Sequence, residues 1–290
     1  MSDDTKVYLN GRLVPRAEAC VPVMDRGFLF GDSVYEVIPV YGGHLFRLEH
    51  HLGRLDNSLD AIRMANPLSH AAWRAALAEL VGQRPGADQS IYLQVTRGAA
   101  PKRDHAIPEG VTPNVFAMTT PLAPIDPSVA ADGIAAITLD DLRWQRCDIK
   151  ATTLLANVLA RQIAKERGAL EAILIRDGLA LEGAASNLFV FAAGRLVTPP
   201  KSPLLLPGIT RDLVIELAQA NHVPLSEADV PLAALATADE IWLTSSTREV
   251  MPVTRLDGKP VGTGRPGPVW RRMNDLYQSY KAYLRQHPDA

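Results

Sequence analysis

Cysteine is scarce in this chain, with only Cys20 and Cys147 in 290 residues. Two are too few for a disulfide framework, and they stand in no metal-ligand spacing. Two buried or half-buried thiols in a reducing compartment are therefore expected, and no bound metal. Aromatic residues make up 6% of the chain, and 30 basic residues nearly balance 32 acidic ones, for a net charge of −2. No basic stripe with interleaved aromatics remains to grip nucleic acid, which excludes that class of partner. No apolar run reaches the length that crosses a bilayer, so no membrane partner is expected either. The opening MSDDTKVYLNGRL is polar and acidic and lacks a signal-peptide apolar region. A cytoplasmic protein is the expectation.

What is present describes a globular protein. Apolar residues make up 47% and charged ones 21%, and the length suffices for one large or two ordinary domains with real cores. Turn signals divide the chain into hairpins. KVYLNGRLV (6–14) turns at Asn10-Gly11, and SVYEVIPVYGGHLF (33–46) at Gly42-Gly43. Residues 47–64 follow with Leu48, Leu52, Leu55, Leu59 and Ile62 on one helical face, and 69–83 read as a second helix. Strands at 90–98 and 114–120 flank a charged, proline-containing loop, APKRDHAIPEG. The proline-punctuated stretch 121–128 is the best boundary. It separates a small N-terminal domain (1–120) from a larger C-terminal one (129–290). The second half mixes hairpins, turning at Asp177-Gly178, Gly194 and Asp257-Gly258, with helices at 209–222 and 267–286. Without regular βαβ alternation, the fold class is α+β.

The chemistry gathers around DIKATTLLANVLARQ (148–162). Lys150 stands ahead of Leu154, Leu155, Val158, Leu159 and Ile163, which recur at helical spacing. These apolar residues are expected to bury the amine and so lower its pKa, as imine chemistry needs. Glu182 precedes Gly183, Ala184, Ala185 and Ser186, so little bulk separates its carboxylate from a flat ligand. Gly208-Ile209-Thr210 leads straight into a helix, where free amides and a hydroxyl face an anion at the positive end of the dipole. Ser245-Ser246-Thr247 closes a strand with the same donors, and Arg54 can supply a fixed charge for a phosphate. Taken singly, each has an ordinary reading: a solvated lysine, an exposed acid, a plain helix cap, a surface arginine. As a set they are the parts of a pyridoxal-phosphate site.

In that order Arg54, Lys150, LEGAASNLF, LPGITRD and TSSTRE resemble the fold-type IV pyridoxal-phosphate enzymes, over residues 6 to 276. That class takes in D-amino-acid transaminases, branched-chain aminotransferases and aminodeoxychorismate lyases. The resemblance implies a two-domain fold, a small N-terminal α/β domain and a larger C-terminal domain with a β-barrel-like core. It implies that Lys150 forms the Schiff base with pyridoxal 5′-phosphate and that Glu182 meets the pyridine nitrogen. Arg54, Ile209, Thr210 and Ser246 would hold the phosphate, with Leu206 packed on the ring. RGFLFGDSVYEVIPVY (26–41) and the 100–110 loop are similar to the D-amino-acid transaminase branch. Tyr35, Arg103 and His105 would then grip the substrate carboxylate. Lys102 and Arg97 are reserve candidates, because the loop is one residue longer than the usual pattern. In relatives this loop reaches a neighbouring subunit, which implies a homodimer. A branched-chain aminotransferase, a lyase and a non-enzymatic ligand-binding protein are the rival readings.

Overall fold

The computed structural model describes residues 5–287, and the chain divides into two units. The first comprises the described residues up to Ala123, with Ile149–Thr153 and the residues from Leu284 onward. It holds β1 (Lys6–Leu9), β2 (Arg12–Pro15), α1 (Arg26–Phe30), β3 (Ser33–Tyr41), β4 (His44–Leu45), α2 (Leu48–Ala61), α3 (His70–Val81), β5 (Gln89–Thr96) and β6 (Asn114–Pro121). The strands form one antiparallel sheet in the order β2-β1-β6-β5-β3-β4. Asn10 and Gly11 both take positive φ (48° and 91°), the backbone a tight hairpin turn demands. Within the loop ahead of β3, Asp25 caps α1 by accepting from the Gly27 amide, and Gly31 ends it with φ 66°.

On β3 the period of two sends Val34, Glu36, Ile38 and Val40 inward, each fully enclosed. Leu52, Leu55 and Leu59 of α2 are 0% exposed in the same core, each contributing about 1.5–3 kcal/mol by burial. His51, Arg54 and Ser58 are buried on α2 as well, three polar residues within its apolar stripe.

The second unit comprises Pro124–Asp148 and Leu154–Tyr283. Its elements are α4 (Pro127–Asp132), β7 (Ile134–Asp140), α5 (Leu155–Glu166), β8 (Glu171–Arg176), β9 (Leu179–Gly183), β10 (Ser186–Ala192), β11 (Arg195–Thr198), α6 (Ile209–Ala220), β12 (Leu225–Glu227), α7 (Leu232–Ala236), β13 (Glu240–Ser245), β14 (Glu249–Leu256), β15 (Lys259–Pro260) and α8 (Pro268–Gln286). The sheet runs β12-β11-β10-β13-β14-β7-β8-β9, and β9 pairs back to β10. Strands β10, β13, β14, β7, β8 and β9 therefore close into a six-stranded barrel. The barrel is mixed, since β7 pairs in parallel with both β14 and β8. Its core includes Ile173, Leu188, Ile241 and Leu243.

Three expectations need adjustment. The stretch 121–128 is not a plain connection, because Pro121 ends β6 and Asp126 caps α4 by accepting from the Ser128 amide. Cys147 is buried, but Cys20 is exposed; no packing element covers it. The third concerns Lys150. The helix after it begins only at Leu155, and Leu155, Val158 and Leu159 are 71%, 59% and 54% exposed. They form an outward apolar face on α5, while Ala160 and Ala164 are the helix residues buried in the unit.

Candidate active site

Lys150 lies in the extended strip 149–153, laid along the outer edge of β3. The Tyr35 amide donates to the Lys150 carbonyl at 2.9 Å, and the Thr152 amide to the Ser33 carbonyl at 3.1 Å. Ala151 bridges Val34. The Lys150 amide itself donates to Ser58 Oγ at 3.2 Å. This pairing fixes the backbone and leaves the side chain half-buried, with Nζ 4.3 Å from the centroid of the Tyr35 ring. An ammonium over a phenol face is held by the ring quadrupole. Tyr35 stacks in turn on Tyr92, centroids 5.7 Å apart.

Behind Lys150 lies a polar group that the sequence did not single out. Glu36 is fully buried and accepts from Arg54 Nε (2.8 Å) and Nη2 (2.7 Å), a bidentate pair, and contacts His51 Nδ1 at 2.8 Å. Burial works against ionisation of Glu36, yet Arg54 outweighs it and holds the carboxyl well below the usual range. Burial holds His51 below the ordinary imidazole value, against the pull of Glu36. A signal for this group was there: an acid in an otherwise apolar strand, and His51, Arg54 and Ser58 at helical spacing.

The reserve candidates for the substrate carboxylate sort themselves by what they already bind. Arg97 is buried and grips Asp32 with Nε (2.8 Å) and Nη2 (3.0 Å), and donates to the carbonyls of Ile62 and Arg63. It is a structural tie. Lys102 pairs with Asp104 at 3.1 Å. Arg103 is exposed, its guanidinium 4.8 Å from the Phe30 centroid, and pairs with no carboxylate among the described residues. His105 packs on the same ring at 5.2 Å. Arg26 braces the loop from beneath by donating to the carbonyls of Asp104 and His105. Tyr35 thus stands with Lys150, while Arg103 and His105 stand together on Phe30.

In the second unit, Glu182 is the next-to-last residue of β9 and is 4% exposed. It pairs with Arg143 and accepts from Asn187 Nδ2 (3.1 Å) and the Leu206 amide (3.1 Å). Burial raises its carboxyl to about 7, and Arg143 offsets this only in part. Arg143 also grips Asp141 through Nε and Nη2, both at 2.9 Å, so its charge is shared between two acids. A buried carboxyl balanced near neutrality suits a ring nitrogen that must hold a proton. Neither Arg143 nor Asn187 was expected; Arg143 meets Glu182 only in space, whereas Asn187 stands five residues on in the LEGAASNLF motif. Cys147 is a packing residue, its thiol pushed up to about 11 by burial.

Ile209 and Thr210 begin α6, whose cap position, Gly208, offers no side chain. A Cβ at Gly208 would fall 1.9 Å from Asn187 Oδ1, so only glycine admits this approach. Thr210 Oγ1 is buried without a hydrogen-bond partner, as is Thr244 Oγ1 on β13, opposite Asn187 in the barrel register. Orphaned buried hydroxyls are costly in a finished site, and here they fit the oxygens of a phosphate. Ser246 is half-buried in the turn after β13. Leu206 reaches Glu182 through its amide and Asn187 through its carbonyl, a dependable tie between the two. Lys150, Arg54, Tyr35, Arg103 and His105 belong to the first unit, and Glu182, Leu206, Ile209, Thr210 and Ser246 to the second.

The Amino-transferase class IV family matches residues 33–256. A protein of Bacillus licheniformis named D-alanine aminotransferase is 44% identical over 274 residues, 94% of this chain and 96% of that one. Among solved structures, the branched-chain amino acid aminotransferase of Escherichia coli is similar with a TM-score of 0.87 at 28% identity, covering 96% of this chain and 94% of that one. The T.th. branched-chain amino acid aminotransferase, solved with pyridoxamine 5′-phosphate, has a TM-score of 0.88 at 28% identity, over 97% of this chain and 95% of that one.

Proposed function

The chain belongs to the class IV aminotransferases, and we propose that its amino donor is a D-amino acid, D-alanine or one similar. The acceptor is a 2-oxo acid such as 2-oxoglutarate, and the cofactor is pyridoxal 5′-phosphate. One observation carries this reading. The Lys150 amine lies on the Tyr35 ring, so the group reserved for imine chemistry and the phenol assigned to the substrate carboxylate share one face of the first unit. The 44% identity to a D-alanine aminotransferase supports the D-amino acid.

When bound, pyridoxal phosphate supplies an aldehyde for the amine and a ring that withdraws electrons. The rest falls to this chain. Thr210, Ile209 and Ser246 of the second unit would hold the phosphate, with Arg54 as the first unit's candidate for it by the resemblance, and Leu206 would pack on the ring. Glu182, with its carboxyl near 7, keeps a proton on the pyridine nitrogen. Lys150 holds the cofactor while idle. When free, it would take the proton from the substrate Cα and, in the second half cycle, return one to the oxo-acid carbon. The amine rests on the enzyme between the halves, so kinetics are ping-pong. Exchanging Glu182 for Gln should lower kcat about 10- to 100-fold with KM little changed; unaltered turnover would place this side chain outside the reaction.

Arg103, exposed on its loop, binds the carboxylate together with His105 and Tyr35, and so sets which face of the substrate Cα meets Lys150. By the family resemblance the loop of Arg103 and His105 serves a second copy of the chain, and the reading includes a homodimer. The exposed apolar face of α5 and Phe28, 75% exposed, supply surface for it. Arg103→Ala should raise KM for a D-amino acid about tenfold or more while the cofactor stays bound. An unchanged KM would transfer the role to Lys102. The exposed, unpaired Cys20 thiol suits a reducing compartment, and a cytoplasmic location is part of the reading.

The experiment that tests the whole is a half-reaction panel of D- and L-amino acids, followed through the cofactor spectrum. Conversion by D-alanine and not by L-leucine supports the reading. The reverse pattern would make the chain a branched-chain enzyme, and release of pyruvate together with an aromatic amine, turnover after turnover without an acceptor 2-oxo acid, a lyase.

A further inference from the structure

Two arginines converge on one buried acid between the two turns assigned to ligand in the second unit. Glu171, the first residue of β8, is 1% exposed. A Cβ added at Gly183 would sit 3.2 Å from its Cγ, which places Glu171 directly behind the turn that follows Glu182. Arg248, carried on the same turn as Ser246, brings Nη1 to 3.3 Å from Glu171 Oε2. Arg161 of α5 approaches the same oxygen to 3.7 Å, beyond hydrogen-bond reach, and its enclosed Nη1 donates to no acceptor.

Among the described residues one carboxylate therefore answers two guanidiniums, and a positive charge is left over. Burial pushes the Glu171 carboxyl up, which weakens it as a counter-ion. Burial and then the adjacent Arg161 push Arg248 down from arginine's ordinary value. The two side chains are 34% and 31% exposed, so a second anion can reach them.

We propose that Arg248 and Arg161 form a subsite for the distal carboxylate of a dicarboxylic substrate, a 2-oxo diacid or the matching D-amino diacid. The inference rests on the transaminase reading and names the substrates that reading favours. A carboxylate is planar and accepts two parallel N–H bonds from a guanidinium, which a lone water cannot match. A substrate with one carboxylate leaves the surplus charge unanswered.

The pyridoxamine-loaded enzyme is mixed with 2-oxoglutarate or with pyruvate, and kcat/KM for each half reaction is read from the cofactor absorbance. Arg248→Ala is expected to lower the value for 2-oxoglutarate about 10- to 100-fold, and to leave that for pyruvate within about twofold. Arg248→Lys should recover part of the loss, and Arg161→Gln, a second variant, should show the same selectivity to a smaller degree. Equal losses with both acceptors, or none with either, overturn the proposal. So does a loss of pyridoxal-phosphate affinity without diacid selectivity, which would assign the arginines to the phosphate. Should the unaltered protein convert no D-amino acid, the transaminase reading itself fails, a result distinct from a transaminase that ignores the second carboxylate.

Discussion

Replacing Lys150 with alanine is expected to lower kcat about a thousandfold or more, because the variant loses both its covalent hold and its proton carrier. The strip 149–153 is fixed by backbone hydrogen bonds to β3, so the truncation removes the amine without loosening the chain around it. Cofactor can still occupy the site, through groups other than Lys150. Borohydride should then fail to tether it, whereas it does so in the unaltered protein. Added methylamine should restore part of the turnover by replacing the missing base. Full activity in the variant would remove Lys150 from the chemistry.

Glu36→Gln should cost about 3–5 kcal/mol of stability, the penalty for breaking a buried ion pair by removing one partner's charge. The substitution keeps the volume and one acceptor, but Arg54 then faces an amide where it faced a carboxylate in bidentate geometry. Denaturant midpoints measure the effect. Its pH dependence carries a definite sign. The folded-state pKa of Glu36 lies below the unfolded value, so its contribution is present above the unfolded pKa, about 4.3. It is lost as pH falls through the folded value. The variant should lack this acid-side loss, and its deficit against the unaltered protein should shrink in acid. A variant as stable as the original at neutral pH would mean the pair offers no net stabilisation.

Local structure was the most legible part of this sequence, because the signals that set it are local. Asn10-Gly11, Gly42-Gly43, Asp177-Gly178 and Asp257-Gly258 all turn with positive φ, and those residue types tolerate that backbone. The leucines of α2 pointed inward as their spacing required. The same periodicity misled on α5. Spacing shows that Leu155, Val158 and Leu159 share a face, but not whether anything in the chain covers it. What surrounds Lys150 instead comes from β3, more than a hundred residues earlier, and no local pattern reports such a pairing. The barrel closure from β9 to β10 is likewise a matter of register between strands, not composition. The candidates carried by motifs, Glu182 and Gly208-Ile209-Thr210, could be named from sequence; Glu36 and Arg143, joined to their partners only in space, could not, and Asn187 was passed over inside the LEGAASNLF motif.

The strip 149–153 bears on how the molecule can be dissected. It shields the outer edge of β3 over Ser33–Tyr35, where β4 does not reach. A fragment cut after Ala123 would bare those amides and carbonyls, and an uncovered edge recruits other chains. Expressing the first unit alone should therefore yield an aggregating sheet rather than a soluble half, unless a peptide bearing residues 149–153 is supplied alongside.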